Sequence, residues 1–368
     1  MTPRKKILVC VGTRPNLIKI TQFERAFQKY PNLDFILLHT GQHYDDKMNN
    51  VFFEELGIKK PDIQFTLKGG SQTQVIAQIM EKFEAACQEI QPDLVMVPGD
   101  VNSSFACAFV ANRLGIPVAH IESGLRSFDM SMPEEVNRIL IDDVSSIHFV
   151  TEESGVKNLE KLGFKDSIKF VGNSMIDTLV QYKDKINEDP VLRNNNLIKK
   201  EYALVTFHRP SNVDNEQDLT HLVQVLSEIS IKIKVVFPIH PRTIKNIKKF
   251  GLLEKLNEIE NLVQLPPQGY LSFLNLAKNA KLVITDSGGI QEETTFLQVP
   301  CLTIRQNTER PITYKIGTNT LLPFEVNQIV KYFSQVMNET YKKGEIPDFW
   351  DGNTSDRIAE TINDYFQV

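Results

Sequence analysis

Val283-Ile284-Thr285-Asp286-Ser287-Gly288-Gly289-Ile290-Gln291-Glu292-Glu293 reads as a strand that passes through a Gly-Gly turn straight into a helix. The glycines let backbone come close to a ligand, and the free N–H groups of a first helical turn favour an anion. Phosphate is the natural guest at Ser287, Gly288 and Gly289. Glu292 and Glu293, one turn in, would repel phosphate at short range and suit hydroxyl groups, of which a ribose offers two. A plain strand-to-helix connection tightened by glycine would read the same way.

Outward from this stretch the same alternation of short apolar runs and helical periodicity continues. Ala203–Phe207, Val235–Ile239, Leu262–Leu265 and Leu302–Ile304 join Leu282–Thr285 as strands of one set. An earlier set comprises Ile7–Val11, Phe35–His39, Leu94–Val97, Val118–Ile121, Ile147–Val150 and Ile168–Val171. Between strands, residues such as Val75, Ile76, Ile79, Met80, Phe83, Cys87 and Ile90 recur at helical steps, with Ser71 and Gln74 as a capping box. Continuous apolar strands between amphipathic helices predict parallel sheets covered on both faces, hence an α/β chain with two Rossmann-like domains. The polar stretch Lys183 to Lys200 is expected to be a surface loop inside the second domain, which begins near Gly172-Asn173. Ser355 to Val368 reads as an amphipathic helix with Ile358, Ile362, Tyr365 and Phe366 on one side.

The 368 residues suffice for two cores, and a composition 41% hydrophobic and 24% charged is that of a globular protein. No apolar run has membrane-spanning length, and Ile7 to Val11 is too short for a signal segment. A net charge of −5 argues against a general nucleic-acid binder. Cys10, Cys87, Cys107 and Cys301 are scattered in apolar contexts, without metal-ligand spacing, which predicts buried reduced thiols, no metal and a cytoplasmic location.

Gly12-Thr13-Arg14-Pro15 follows the first strand where a dinucleotide fingerprint would stand, so no tightly bound NAD is expected, and no P-loop is present. Arg14 and Lys19 lie where open α/β sheets bind ligands; they would hold a diphosphate, steady a carboxylate, or simply be surface charges. Asp100 comes just past the strand ending at Val97. His120 and Glu122 flank Ile121, and Pro133-Glu134-Glu135-Val136-Asn137-Arg138 follows. His208 and His240 end two strands of the second set, and Arg310 closes Asn307-Thr308-Glu309-Arg310. A lone acid at such a place is often a helix cap. Acids and histidines recurring at strand carboxyl ends in both halves point instead to acid–base chemistry in a cleft that the two domains face.

Taken together and in order, these residues resemble the non-hydrolysing UDP-N-acetylglucosamine 2-epimerase family. The likeness runs from Gly12-Thr13-Arg14-Pro15 to Gly317-Thr318-Asn319. It is most specific at His39-Thr40-Gly41-Gln42-His43, His120 to Arg126, Pro133 to Arg138, Asp286 to Glu293 and Thr308-Glu309-Arg310-Pro311. The resemblance implies a GT-B-like fold, with residues 1–171 plus a returning helix 353–368 as the sugar side and 172–352 as the UDP side. It implies catalytic roles for Asp100, Glu122, Glu134 and His208. Substrate binding would fall to Arg14, Lys19, His240, Ser287, Gly288, Gly289, Glu293 and Arg310. Gln42 and His43 match a regulatory position. No cofactor is implied; the partners would be a UDP-sugar and a second copy of the chain in a homodimer. Asn16, Val101, Asn102, Met132, Phe207 and Pro210 depart from the family pattern near the sugar, so the resemblance leaves the sugar less defined than the nucleotide.

The implied reaction eliminates UDP across C1–C2 and adds it back with the proton on the opposite face. A hydrolysing epimerase, an enzyme for a UDP-diacetamido sugar, a GT-B glycosyltransferase and a catalytically silent nucleotide-sugar sensor are the other readings.

Overall fold

A computed structural model describes residues 4–42 and 55–367. The chain divides into two compact units, Met1–Gln181 with Asp348–Val368 and Tyr182–Pro347. Each is built on a parallel sheet.

In the first unit the strands are β1 (Lys5–Val11), β2 (Leu33–His39), β3 (Ile63–Gln64), β4 (Leu94–Pro98), β5 (Val118–Ile121), β6 (Ile147–Val150) and β7 (Ile168–Phe170). They lie in the order β3-β2-β1-β4-β5-β6-β7. The second unit contains β8 (Tyr202–Thr206), β9 (Lys234–Pro238), β10 (Leu262–Leu265), β11 (Leu282–Thr285), β12 (Cys301–Ile304) and β13 (Asn319–Leu322), in the order β10-β9-β8-β11-β12-β13. Both orders reverse direction once, between β1 and β4 and between β8 and β11. Crevices that bind ligands open at such reversals, outside the carboxyl ends of the strands.

The second sheet shows why continuous apolar runs became its strands. Ala203 and Val205 pack into one core with Val235, Phe237, Leu282 and Ile284, while Tyr202 and Leu204 pack into another with Val236, Val283 and Cys301. Alternate side chains point to opposite faces, and both faces are covered, so every position must be apolar. In the first unit Leu8, Cys10, Val95, Val97 and Val118 pack against Ile79, Phe83 and Cys87 of the helix Gln72–Ile90. That helix starts at the expected capping box, with Ser71 Oγ accepting from Gln74 N and Gln74 Oε1 accepting from Ser71 N. All four cysteines are free and buried.

All the strands expected from the sequence are present. Two short edge strands, β3 and β13, were not expected. β3 is only Ile63–Gln64, and β13 opens on Asn319, whose side chain accepts from Thr303 Oγ1 instead of filling an apolar core. The stretch expected as a loop folds into helices Lys183–Glu188 and Val191–Asn194. Ile186, Val191 and Leu197 are its buried anchors, and Asp189 accepts from Val191 N and from Ser272 Oγ. Three apolar residues spread over polar sequence give no readable period. The terminal helix is Thr354–Tyr365; it buries Ile358 and Ile362, but Tyr365 is exposed and Phe366 only half-buried, beyond its last regular turn.

The helix Ser174–Gln181, assigned from the sequence to the second domain, belongs with the first unit. Thr178 Oγ1 donates to Ile18 O at 2.6 Å, and the Asp177 carboxylate accepts from Thr354 N, Ser355 N and Ser355 Oγ. Asp177 thereby caps the returning helix. Trp350, buried, donates from Nε1 to Thr151 O at 3.0 Å and fastens the segment before it.

Candidate functional site

At the reversal in the first unit, the turn after β1 has no room for a side chain at Gly12, where a Cβ would collide with Ser103 and Thr40. Asn16 is buried, accepts from Thr13 N and Thr13 Oγ1, and donates to Pro98 O at 2.9 Å. It joins the β1 turn to the end of β4. Lys19, one helical turn on, is buried and reaches Glu122 across β4 and β5, with Nζ 2.6 Å from Oε2. Lys19 is thus paired with the Glu122 carboxylate.

Gly99 makes this crossing possible. Its φ is +66°, and a Cβ there would stand 2.7 Å from Lys19 Nζ. Glu122 itself has φ +70°, a left-handed conformation that costs a non-glycine residue about 1–2 kcal/mol. Arg14 is half-buried, and burial lowers its guanidinium from its ordinary value, against the raising effect of Glu55.

Asp100 follows Gly99 and pairs with Arg138, which also holds Glu135 at 2.6 Å. Glu135 accepts from Ser127 N, Ser127 Oγ and Phe128 N. Asn137 Nδ2 donates to Asp100 O and Asn102 Oδ1. The run from Pro133 to Arg138 is therefore mostly scaffold. Glu134 is the exception: it is exposed and lines a cavity of about 650 Å³ with Thr13, Gln42, Asp100 and Asn137. Gln42 Oε1 accepts from Ser103 N at 2.8 Å and Ser103 Oγ at 2.5 Å. His43 lies outside the described residues.

His120, which the sequence offers beside Glu122, is fully buried and bonded at both ring nitrogens, to Asp142 and to Gly99 O. It does not present itself to a ligand.

At the reversal in the second unit, Asp286 after β11 reaches back to the end of β8. The buried carboxylate accepts from His208 N at 3.0 Å, Arg209 N at 2.8 Å and Asn212 Nδ2 at 3.3 Å, and lies 3.0 Å from His208 Nδ1. Burial pushes its pKa up, but the His208 bond and charge and the backbone donors outweigh that and hold it below the ordinary value. The sequence contained Asp286 but no role for it. Its signal was an acid at the end of an apolar strand, facing a histidine at the end of another. His240 is exposed and caps the helix Pro241–Lys249, its Nδ1 accepting from Arg242 N at 3.1 Å. Its ring lies 5.6 Å from that of His208; burial first, and then His208, lower its pKa.

Ser287 is the N-cap of the helix Gly288–Phe296, and its N–H donates to Thr285 Oγ1. A Cβ on Gly288 would come 3.3 Å from Glu309 Oε1, 3.4 Å from Arg310 Nη1 and 3.5 Å from Arg305 Nη1. Arg310 Nε lies 2.7 Å from Glu292 Oε2, and Nη1 binds Glu309. So Arg310 pairs with carboxylates of its own unit, and Glu292 is already neutralised. Gln291 Oε1 accepts from Thr308 Oγ1 and Asn319 Nδ2, which ties the following loop under the helix.

Glu293 is buried, and burial raises its carboxyl from 4.5 to about 8, with the Tyr270 hydrogen bond opposing and Glu292 adding to the rise. Between those values the folded chain keeps a proton that the unfolded chain releases. Stability from this group is full below pH 4.5 and falls as pH rises toward 8. Urea unfolding at pH 5 and pH 8 should show the wild type losing more stability than Glu293→Gln; equal losses would refute the assignment.

Among the described residues no group of three or more His, Cys, Asp or Glu is placed to hold a metal ion. No helix among them is long and apolar enough to cross a membrane.

The family model described as UDP-N-acetylglucosamine 2-epimerase matches residues 25–363. The chain belongs to this family. It is 39% identical over 97% of its length to the UDP-N-acetylglucosamine 2-epimerase of Methanocaldococcus jannaschii, 98% of which is covered. A UDP-2,3-diacetamido-2,3-dideoxy-D-glucuronate 2-epimerase of Pseudomonas aeruginosa is 38% identical, with 97% of this chain and 99% of that one covered. The crystal structure of the M. jannaschii UDP-GlcNAc 2-epimerase in complex with UDP-GlcNAc and UDP superposes with a TM-score of 0.87 at 38% identity, covering 97% of this chain and 99% of that one. The family fold is GT-B-like, in keeping with the two Rossmann-like sheets.

Proposed function

We propose that this chain interconverts UDP-N-acetylglucosamine and UDP-N-acetylmannosamine without releasing free sugar. The observation that carries the reading is the set of carboxylates at the β1/β4 reversal: Glu122 paired with Lys19, Asp100 paired with Arg138, and Glu134 open to the cavity. The C2 proton of the sugar has no neighbouring carbonyl to acidify it, so its removal must be coupled to departure of UDP. A carboxylate takes the C2 proton, the C1–O bond breaks with its electron pair leaving on UDP, and C1=C2 forms. Addition of UDP back to C1, with a proton delivered to the other face of C2, completes the inversion.

The carboxylates serve as bases and stabilise positive charge at C1. Ser287, Gly288 and Gly289 would hold the diphosphate on the helix N–H groups, with His208 fixed beside them by Asp286; Arg14 would be a substrate-binding cation of the first unit. Glu293 would take the ribose hydroxyls. Arg310 and His240 would support this arrangement, and Gln42 and His43 would form a second, regulatory subsite. The working form would be a homodimer in the cytoplasm.

In D₂O, ¹H NMR should show deuterium entering C2 of UDP-N-acetylglucosamine while UDP-N-acetylmannosamine appears in equilibrium with it. Free N-acetylmannosamine with UDP would make the enzyme hydrolysing, and binding of UDP-sugar without exchange would make it a sensor; either refutes the proposal. The near-equal identity to the P. aeruginosa relative favours one second reading, a UDP-2,3-diacetamido uronic acid as substrate. Faster exchange with that sugar in the same assay would establish it.

A further inference from the structure

The buried set around Asp142 has no part in the reaction as written above. Asp142 sits on the helix Pro133–Val144 and is fully buried. One carboxylate oxygen lies 2.6 Å from His120 Nδ1. The other accepts from Arg126 Nη1 at 2.6 Å and from Gly124 N at 3.1 Å. His120 Nε2 lies 3.0 Å from Gly99 O, and Ser123 Oγ donates to His120 O.

A backbone carbonyl only accepts, so Nε2 carries a proton. Asp142 accepts from Arg126 and Gly124 through one oxygen and faces His120 Nδ1 with the other. The His120 ring is thereby held between the Asp142 carboxylate and the Gly99 carbonyl. Charged and titratable neighbours are Arg126, His148, whose Nε2 donates to Asp142 O, and, beyond Gly99, Lys19 and Glu122. Burial lowers the His148 pKa first of all, which keeps that ring neutral beside the pair.

The pinned peptide is the one that matters. Gly99 N donates to Ile121 O at 2.9 Å while Gly99 O accepts from His120, so the turn is gripped from β5 on both sides. Asp100 follows Gly99 directly, and Glu122 follows Ile121. We infer that His120 and Asp142 are positioning residues for the epimerisation, fixing the turn that carries Asp100 against the strand end that carries Glu122. This rests on the function proposed above.

Three variants of the full chain test it. Asp142→Asn and His120→Ala should lower kcat for C2 exchange about 10²-fold, with KM and UDP affinity within about twofold of wild type, because misplaced acids cost rate more than binding. His120→Gln keeps an N–H near the Nε2 position and should recover a clear part of the loss. Wild-type kcat in Asp142→Asn and His120→Ala, a parallel fall in UDP affinity, or no advantage of Gln over Ala would overturn the inference. ¹⁵N NMR of the wild type gives an independent check: His120 Nε2 should carry a proton bonded to Gly99 O, and an Nε2 without a proton would overturn the inference. If the wild type itself showed no C2 exchange, the functional proposal would fall and the kinetic inference with it, while the NMR result would still decide whether His120 pins the Gly99 peptide.

Discussion

Glu122→Gln is expected to abolish C2 exchange and to lower thermal stability in the same protein. The catalytic part follows from losing a carboxylate at the β1/β4 reversal; removal of a general base lowers rate by about 10²–10⁴-fold. The stability part follows from Lys19. Its side chain is 6% exposed, and its ammonium lies 2.6 Å from the Glu122 carboxylate. Breaking a buried pair on one side strands the other charge, at a cost of about 3–5 kcal/mol. Lys19→Met combined with Glu122→Gln removes both charges and should restore much of the stability without restoring exchange. Thermal unfolding and C2 exchange of the three variants separate the two roles. A Glu122→Gln protein that melts like wild type would show that Lys19 does not depend on Glu122, and the reading of this pair would fail.

Asp286→Ala should have an effect of similar size on the second unit. It leaves His208 N and Arg209 N without the carboxylate they share, while Asn212 Nδ2 keeps Ile304 O, and each donor left unpaired costs about 1–3 kcal/mol. His208 loses the group that orients its ring, so UDP affinity should fall at least about tenfold, the size of one lost charged hydrogen bond. The pH dependence has a definite sign. Because the Asp286 pKa is depressed when folded, its stabilisation is present above the ordinary value of 3.8 and is lost as pH falls through the depressed one. The acid side of the wild-type stability profile should be steeper than that of Asp286→Ala. Identical acid limbs, or unchanged UDP affinity by calorimetry, would contradict this account.

The strands and the sheet class were legible because both faces of each sheet are covered, which forces uninterrupted apolar runs such as Leu94–Val97 and Leu282–Thr285. β3 and β13 were not, since an edge strand of two residues, or one opening on a bonded asparagine, has no such constraint. The candidate site was legible as a list of residues and illegible as a set of pairings. Nothing in Pro133 to Arg138 distinguishes Glu134, which faces a cavity, from Glu135, which is occupied by Ser127, Phe128 and Arg138. The pairing of Arg310 with Glu292, 18 positions earlier in the chain, is likewise a tertiary contact that no local spacing marks.

By itself, the sequence determined the turn at Ser287-Gly288-Gly289, the strand ends that carry the acids and histidines, and the family to which the chain belongs. These depend on local spacing: an apolar run fixes a strand, and a glycine pair fixes where backbone can approach an anion. Which charges cancel was decided only by tertiary structure. Lys19 meets Glu122 from 103 residues away and His208 meets Asp286 from 78. Such pairs form because the strand order sets β1, β4 and β5 in succession and β8 beside β11, and a buried charge such as Lys19, Glu122 or Asp286 is too costly to leave unpaired.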